Sequence, residues 1–190
     1  MQRAFVELAE SATRSARDKT YVIVLLEEMA RHARTRTVAS VMPDEERAMW
    51  ERAGADFSNG EQALARSAAA TASAFADLLE RSVAGDEAAA KLLDVDRSRI
   101  SQRLAERSLY AVNYGDERYF PRWQFARDKV LRGLKTVLTA LDPKLHPLTV
   151  DHFFTTPSLE LLGSDEPLSP AAWLATGGDI GAVAELAADL

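Results

Sequence analysis

The 190-residue chain contains no cysteine. That excludes disulfides, thiolate zinc sites and cysteine nucleophiles together, and it fits a reducing compartment. Long apolar runs are missing too: the longest, Tyr21 to Leu26, is six residues, against roughly 18 or more for a membrane span. No charged-then-apolar leader with a small-residue cleavage site opens the sequence, so the expectation is a cytoplasmic protein with no membrane partner. Catalytic signatures are equally scarce. No phosphate loop, dinucleotide fingerprint or serine elbow is present, and Gly177-Gly178 lacks the preceding strand of a phosphate cradle. His146 and His152 are six residues apart, which is not the one-turn spacing of a helical zinc pair, and His32 stands alone in a basic stretch. Glu27-Glu28 and Asp44-Glu45-Glu46 suit helix surfaces and helix starts. These absences argue against an enzyme and call for no cofactor and no metal.

What is present is close to the composition of a folded chain, with 47% hydrophobic and 27% charged residues. The charge is unevenly spread. The formal net charge is −6, yet residues 91–135 carry 11 basic against 6 acidic side chains, while residues 136–190 carry 1 against 8. A polyanion responds to the local field within a Debye length of roughly 8 to 10 Å, not to net charge. The basic segment and the acidic end therefore suit two different partners.

Glycine and proline are sparse before residue 110 and cluster after it, which reads as a mainly α protein. Helices are expected over residues 5–15, over residues 21–34 with a strand as the alternative at its β-branched start, and after Pro43 as far as Gly54. From Glu61 to Ser82 the clearest stripe runs through Leu64, Ala68, Thr71, Phe75, Leu78 and Ser82, one narrow face of a long helix that packs on its own domain or on a second copy in a homodimer. The chain thus divides into a helical region over residues 1–82 suited to oligomerisation, a module over residues 83–125, and a helical region over residues 126–190.

The middle module carries the mechanism. Gly85 ends the long helix, Asp86 caps a short one holding Ala89, Ala90, Leu92 and Leu93, Asp94-Val95-Asp96 makes a turn, and Asp96 caps a second helix from Arg97 to Arg107. Two closely crossing helices need a small residue in the first, a residue tolerant of left-handed backbone in the turn and a branched aliphatic in the second. Ala90, Asp94 and Ile100 supply them. A strand over Leu109–Val112, a turn over Asn113–Asp116 and a return strand over Glu117–Phe120 then make a small two-stranded β-wing. In a helix-turn-helix the start of the second helix reaches base edges and later positions meet phosphates. Arg97, Ser98, Arg99, Ser101, Gln102, Arg103 and Arg107 form the candidate DNA-reading set, with Tyr114 at the wing tip and Arg118 on the return strand. Arginine bonds guanine bidentately and glutamine bonds adenine in the same way. The alternative is an arginine-rich solvated helix beside a packing hairpin.

The run "AAKLLDVDRSRISQRLAERSLYAV" followed by "ERYFPRWQF" resembles the winged helix-turn-helix of excisionase-like DNA-binding proteins. In these the hairpin ends in a proline and an aromatic-glutamine-aromatic unit, here Pro121 and Trp123-Gln124-Phe125. The resemblance implies double-stranded DNA as a partner.

After Pro121 a helix is expected, with Trp123, Val130, Leu131, Leu134, Val137, Leu138 and Leu141 on its apolar face and Pro143 as its stop. Pro147–Phe154 reads as a short helix, Ser158–Leu162 as a turn, Ser169-Pro170 as a helix opening closed by Gly177, and Asp179 as the cap of a last helix. Trp173 and Phe153 suit either a small core or an interface anchor. The stretch "HPLTVDHFFTTPSLELLGSDEPLSPAAWLATGGDIGAVAELA" is similar to the toxin-binding domain of bacterial antitoxins of the Xre, MbcA and ParS type. That resemblance implies a RES-domain toxin partner, which consumes NAD, and repression of the antitoxin's own promoter. It makes Trp173, Leu174, Gly177, Gly178 and Asp179 toxin contacts or supports for them. The other readings are a stand-alone winged-helix regulator, whose tail serves dimerisation or another partner, and a helical adaptor without DNA function.

Overall fold

The computed structural model describes residues 45, 49, 52, 53, 60–163 and 166–190. The helices expected over residues 5–15 and 21–34 lie outside the described residues. Of the short helix after Pro43, Glu45, Met49 and Arg52 are described and are helical. The described elements are seven helices and seven short strands, broadly helical with some β. No helix among the described residues is long and apolar enough to cross a membrane. The chain forms two compact units, Met1–Asp77 and Leu78–Leu190.

Helix α1 (Gly60–Glu80) supplies most of what is described of the first unit. There Ala72 and Phe75 are buried, and Thr71, on the expected stripe, is half-buried. The helix does not reach Ser82, as its periodicity suggested. Ser82 instead opens strand β1 (Ser82–Ala84), and its hydroxyl donates to the Leu78 carbonyl at 2.7 Å. A three-residue strand is invisible locally, because its partner is 35 to 39 residues away in sequence: Ser82 pairs with Pro121, Val83 with Phe120 and Ala84 with Tyr119.

In the second unit Gly85, at φ 82°, turns the chain from β1 into α2 (Asp86–Leu92). Gly85 is therefore the helix-capping residue and Asp86 the first residue of the helix, against the expectation that Asp86 caps it. The turn follows the reasoning from spacing. Asp94 is left-handed at φ 51°, the Val95 amide donates back to the Ala90 carbonyl at 3.0 Å and the Asp94 amide to Lys91 at 3.4 Å, a Schellman closure with aspartate in place of glycine. Helix α3 (Arg97–Ala105) ends two residues earlier than expected, in a second closure of the same kind. Its left-handed residue is Arg107 at φ 54°, and Ser108 donates to Arg103 at 2.8 Å. Ala89, Ala90, Ile100, Leu109, Val83 and Phe120 form one buried cluster, which fixes α3 through Ile100.

Strands β2 (Val112–Tyr114) and β3 (Glu117–Pro121) form an antiparallel hairpin around Gly115-Asp116, with Gly115 at φ 58°. The first strand starts at Val112, not Leu109. Since β3 also pairs with β1, the sheet has three strands in the order β1-β3-β2 and not the two expected.

Pro121 does not begin a helix. A 3-10 turn (Arg122–Gln124) leads into a second hairpin, β4 (Phe125–Ala126) and β5 (Lys129–Val130), and α4 spans only Leu134–Ala140. The apolar residues that suggested a longer helix still reach a common core, which includes Leu131, Leu134, Val137, Leu138 and Leu141 with Trp123 and Val130 against it. Gly133, at φ 79°, starts α4, and the space a Cβ would need there is filled by Ile180. Helix α5 (Pro147–Thr155) opens at His146, whose Nδ1 accepts from the Leu148 amide at 3.2 Å. Residues 158–162, expected as a turn, form β6 (Ser158–Leu162), paired with β7 (Pro167–Leu168). Helices α6 (Pro170–Ala175) and α7 (Ile180–Ala188) start at Ser169 and Asp179 as their capping chemistry indicates, and α7 packs on α4.

Candidate functional site

Helix α3 divides cleanly into an anchor and a display. Ile100 is fully buried and Leu104 half-buried, while Arg97, Ser98, Arg99, Ser101 and Gln102 are exposed and Arg103 is half-buried. Arg99 Nη1 donates to Gln102 Oε1 at 2.5 Å, and Gln102 Nε2 donates to Glu106 Oε1 at 2.8 Å, so one ladder of side-chain hydrogen bonds orders this face. Asp96 occupies the capping position, but its carboxylate accepts no capping hydrogen bond among the described residues.

Four of the sequence-derived candidates make contacts within the fold. Arg107 is half-buried, and its Nη2 donates to the Leu141 carbonyl at 2.9 Å, tying the end of α3 to the segment after α4. Arg118 pairs with Asp86, whose carboxylate is buried. Arg97, with a side chain 76% exposed, reaches the same oxygen at 3.7 Å. The hairpin is thereby tied to the start of α2, and Asp86 offsets the positive charge expected of the return strand. Tyr114 is half-buried and packs edge-on against Tyr119, with ring centroids 6.4 Å apart. Burial, and then the neighbouring Glu117 charge and hydrogen bond, push the Tyr119 hydroxyl above its ordinary pKa.

The second unit also holds an aromatic and acidic hub that residue patterns did not reveal. Trp123 stacks on Phe154 at 3.9 Å between centroids and on Tyr110 at 5.9 Å. The buried Asp151 accepts from Trp123 Nε1 and from Arg81 Nη2, each at 3.1 Å. Burial, with the Asp151 charge second, pushes the Tyr110 hydroxyl up to about 12.

The five candidates near the C-terminus come together at the α6–α7 junction, each in a structural role. Leu174 is a core residue. Gly177, at φ 88°, and Gly178 close α6, donating to the carbonyls of Leu174 at 3.1 Å and Trp173 at 2.9 Å. A Cβ on Gly178 would meet the Trp173 ring at 2.4 Å. Trp173 Nε1 donates to the Asp179 carbonyl at 3.0 Å, and the Asp179 carboxylate caps α7 through the Gly181 and Ala182 amides. Among the described residues the two most exposed large apolar side chains lie on β6, where Leu159 is 80% and Leu162 60% exposed. Sequence offered little to separate these from Leu161, which is fully buried between them. No family model, curated protein or solved structure matches the chain.

Proposed function

We propose that this protein is a DNA-binding antitoxin that represses its own promoter and neutralises a RES-domain, NAD-consuming toxin. In this reading α2, its turn and α3 form a helix-turn-helix, and the β2–β3 hairpin is its wing. The carrying observation is the display on α3: an exposed row of arginine, serine and glutamine on a helix anchored from behind by Ile100 and closed at its far end by Arg107. A helix held this way can enter a major groove with its anchor undisturbed, its hydrogen-bond ladder giving up the Arg99–Gln102 and Gln102–Glu106 contacts for base edges. Promoter DNA titrated with the protein at several salt concentrations tests it, since each phosphate contact contributes about 0.9 to the logarithmic salt slope. Arg99→Ala should cost about 1 to 3 kcal/mol in specific binding; full affinity in that variant would overturn the assignment of α3.

The toxin-directed part rests on the C-terminal resemblance and on the exposed leucines of β6. A second reading, a stand-alone regulator with no toxin, is favoured by one observation: Leu174, Gly177, Gly178 and Asp179 are all occupied within the fold. Relief of toxicity on co-expression with a neighbouring RES-type gene separates the two.

A further inference from the structure

The β4–β5 hairpin has a cost and a charge that its packing does not explain. Its two-residue turn is Arg127-Asp128, and both residues are left-handed, at φ 46° and 60°. Hairpin turns of this kind favour asparagine followed by glycine, because a Cβ is strained at positive φ. The arginine there stands against local preference, as happens where a side chain is needed for another purpose. Around it, residues 122–135 carry Arg122, Arg127, Lys129, Arg132 and Lys135 against the single acid Asp128. All five cations are exposed, and none forms an ion pair among the described residues.

The hairpin is also rigidly placed. It leaves Gln124, which is fully buried, and the Leu131 amide returns to the Gln124 carbonyl at 2.9 Å. The Gln124 side chain grips Tyr110, on the segment that joins α3 to β2, while Phe125 and Val130 pack against the cluster that anchors α3. The base of the hairpin is thus fixed to the scaffold of the exposed helix, so that little backbone freedom is lost when its charges meet an anion.

We infer that the β4–β5 hairpin is a second DNA-contacting element, a cationic clamp in which Arg127 and Lys129 bind the phosphate backbone of the duplex without reading its sequence. The inference rests on the DNA-binding reading of α3, and it assigns a role to residues that reading leaves idle. Phosphate contacts set affinity and register, whereas base contacts set specificity, so the two elements have separable signatures.

The test uses the full chain with two duplexes of equal length, one from the gene's own upstream region and one of random sequence. Replacing Arg127 and Lys129 together by alanine should flatten the logarithmic salt slope by about 2 and weaken both duplexes by the same factor, roughly thirtyfold at 0.15 M salt, with the ratio between them unchanged. Arg127→Gly separates function from folding: glycine relieves the left-handed strain, so thermal stability should hold or rise while DNA affinity falls. Asp128→Asn, which removes the one repelling charge, should strengthen both complexes. An unchanged slope in the double variant, alongside lost discrimination in Arg99→Ala, would overturn the clamp and leave α3 standing. Weakening of the upstream duplex alone would also overturn it, since the hairpin would then read sequence. If the unsubstituted protein binds neither duplex, the DNA-binding reading fails first and the clamp with it.

Discussion

Gln124 and Tyr110 exchange two hydrogen bonds: the Tyr110 amide donates to Gln124 Oε1 and Gln124 Nε2 donates to the Tyr110 carbonyl, each at 2.9 Å. Gln124 Nε2 also donates to the Pro121 carbonyl at 3.0 Å. One side chain thus replaces a strand partner for residue 110, which is why the ladder of β2 begins only at Val112. Gln124→Leu keeps the volume and leaves these backbone groups without partners in a buried site. At about 1 to 3 kcal/mol for each stranded group, the loss should be several kcal/mol. Urea titration measures it, and an unshifted midpoint would show that water satisfies residue 110 instead.

Asp86 and Arg118 should respond unequally to loss of their partner. The Asp86 side chain is 5% exposed and that of Arg118 is 35% exposed, while Asp86 Oδ1 has no hydrogen-bond partner among the described residues. Arg118→Ala leaves a buried carboxylate with only the distant Arg97, and should cost about 2 to 4 kcal/mol. Asp86→Ala leaves a guanidinium that can turn to water, and should cost about 1 to 2 kcal/mol. A double-mutant cycle by chemical denaturation checks the order; equal costs would contradict it.

Tyr110 makes stability fall at high pH. Its hydroxyl is raised from 10.0 to about 12 by burial, with Asp151 adding to the effect. The neutral form is favoured in the folded state, so this contribution is complete below pH 10 and is lost as pH rises towards 12. Its size is about 2 to 3 kcal/mol. Stability measured from pH 8 to 12 should decline less steeply in Tyr110→Phe than in the unsubstituted protein.

Gly178→Ala should drive the Trp173 indole off the α6–α7 junction, because the new methyl would lie 2.4 Å from ring atoms. A loss of about 1 to 3 kcal/mol should accompany a changed Trp173 emission, read in a background with Trp50 and Trp123 replaced by phenylalanine. Unchanged emission would place the ring elsewhere.

Leu159→Lys should leave stability within about 0.5 kcal/mol, since the side chain is 80% exposed. On the antitoxin reading the same change weakens toxin neutralisation in co-expression. Full rescue by this variant would remove β6 from the toxin-facing surface.

Several features were legible in the residues because they depend on neighbours in sequence. Asp94 in the left-handed turn, Ser169-Pro170 and Asp179 at helix starts, Gly177 at a helix end and Ile100 beneath α3 follow from local backbone chemistry and short spacing. The polar row on α3 was legible for the same reason, since buried Ile100 sets which side of one helix faces out. Pairings were not. Strands β1, β4, β5 and β6 are each five residues or fewer, too short to show a period, and the first three lie where a helical repeat of apolar residues was equally consistent.

What the sequence alone determined, then, is the helical character, the turn chemistry and the segregation of charge between residues 91–135 and 136–190. The tertiary structure decided which of those charges stay available. Arg118 and Arg107 were drawn into the fold by Asp86 and the Leu141 carbonyl, while the arginines at the start of α3 and on the second hairpin were left in solvent. The physical reason is that a charged side chain's partner is set by three-dimensional proximity and burial, and neither is written in the identity of its neighbours along the chain.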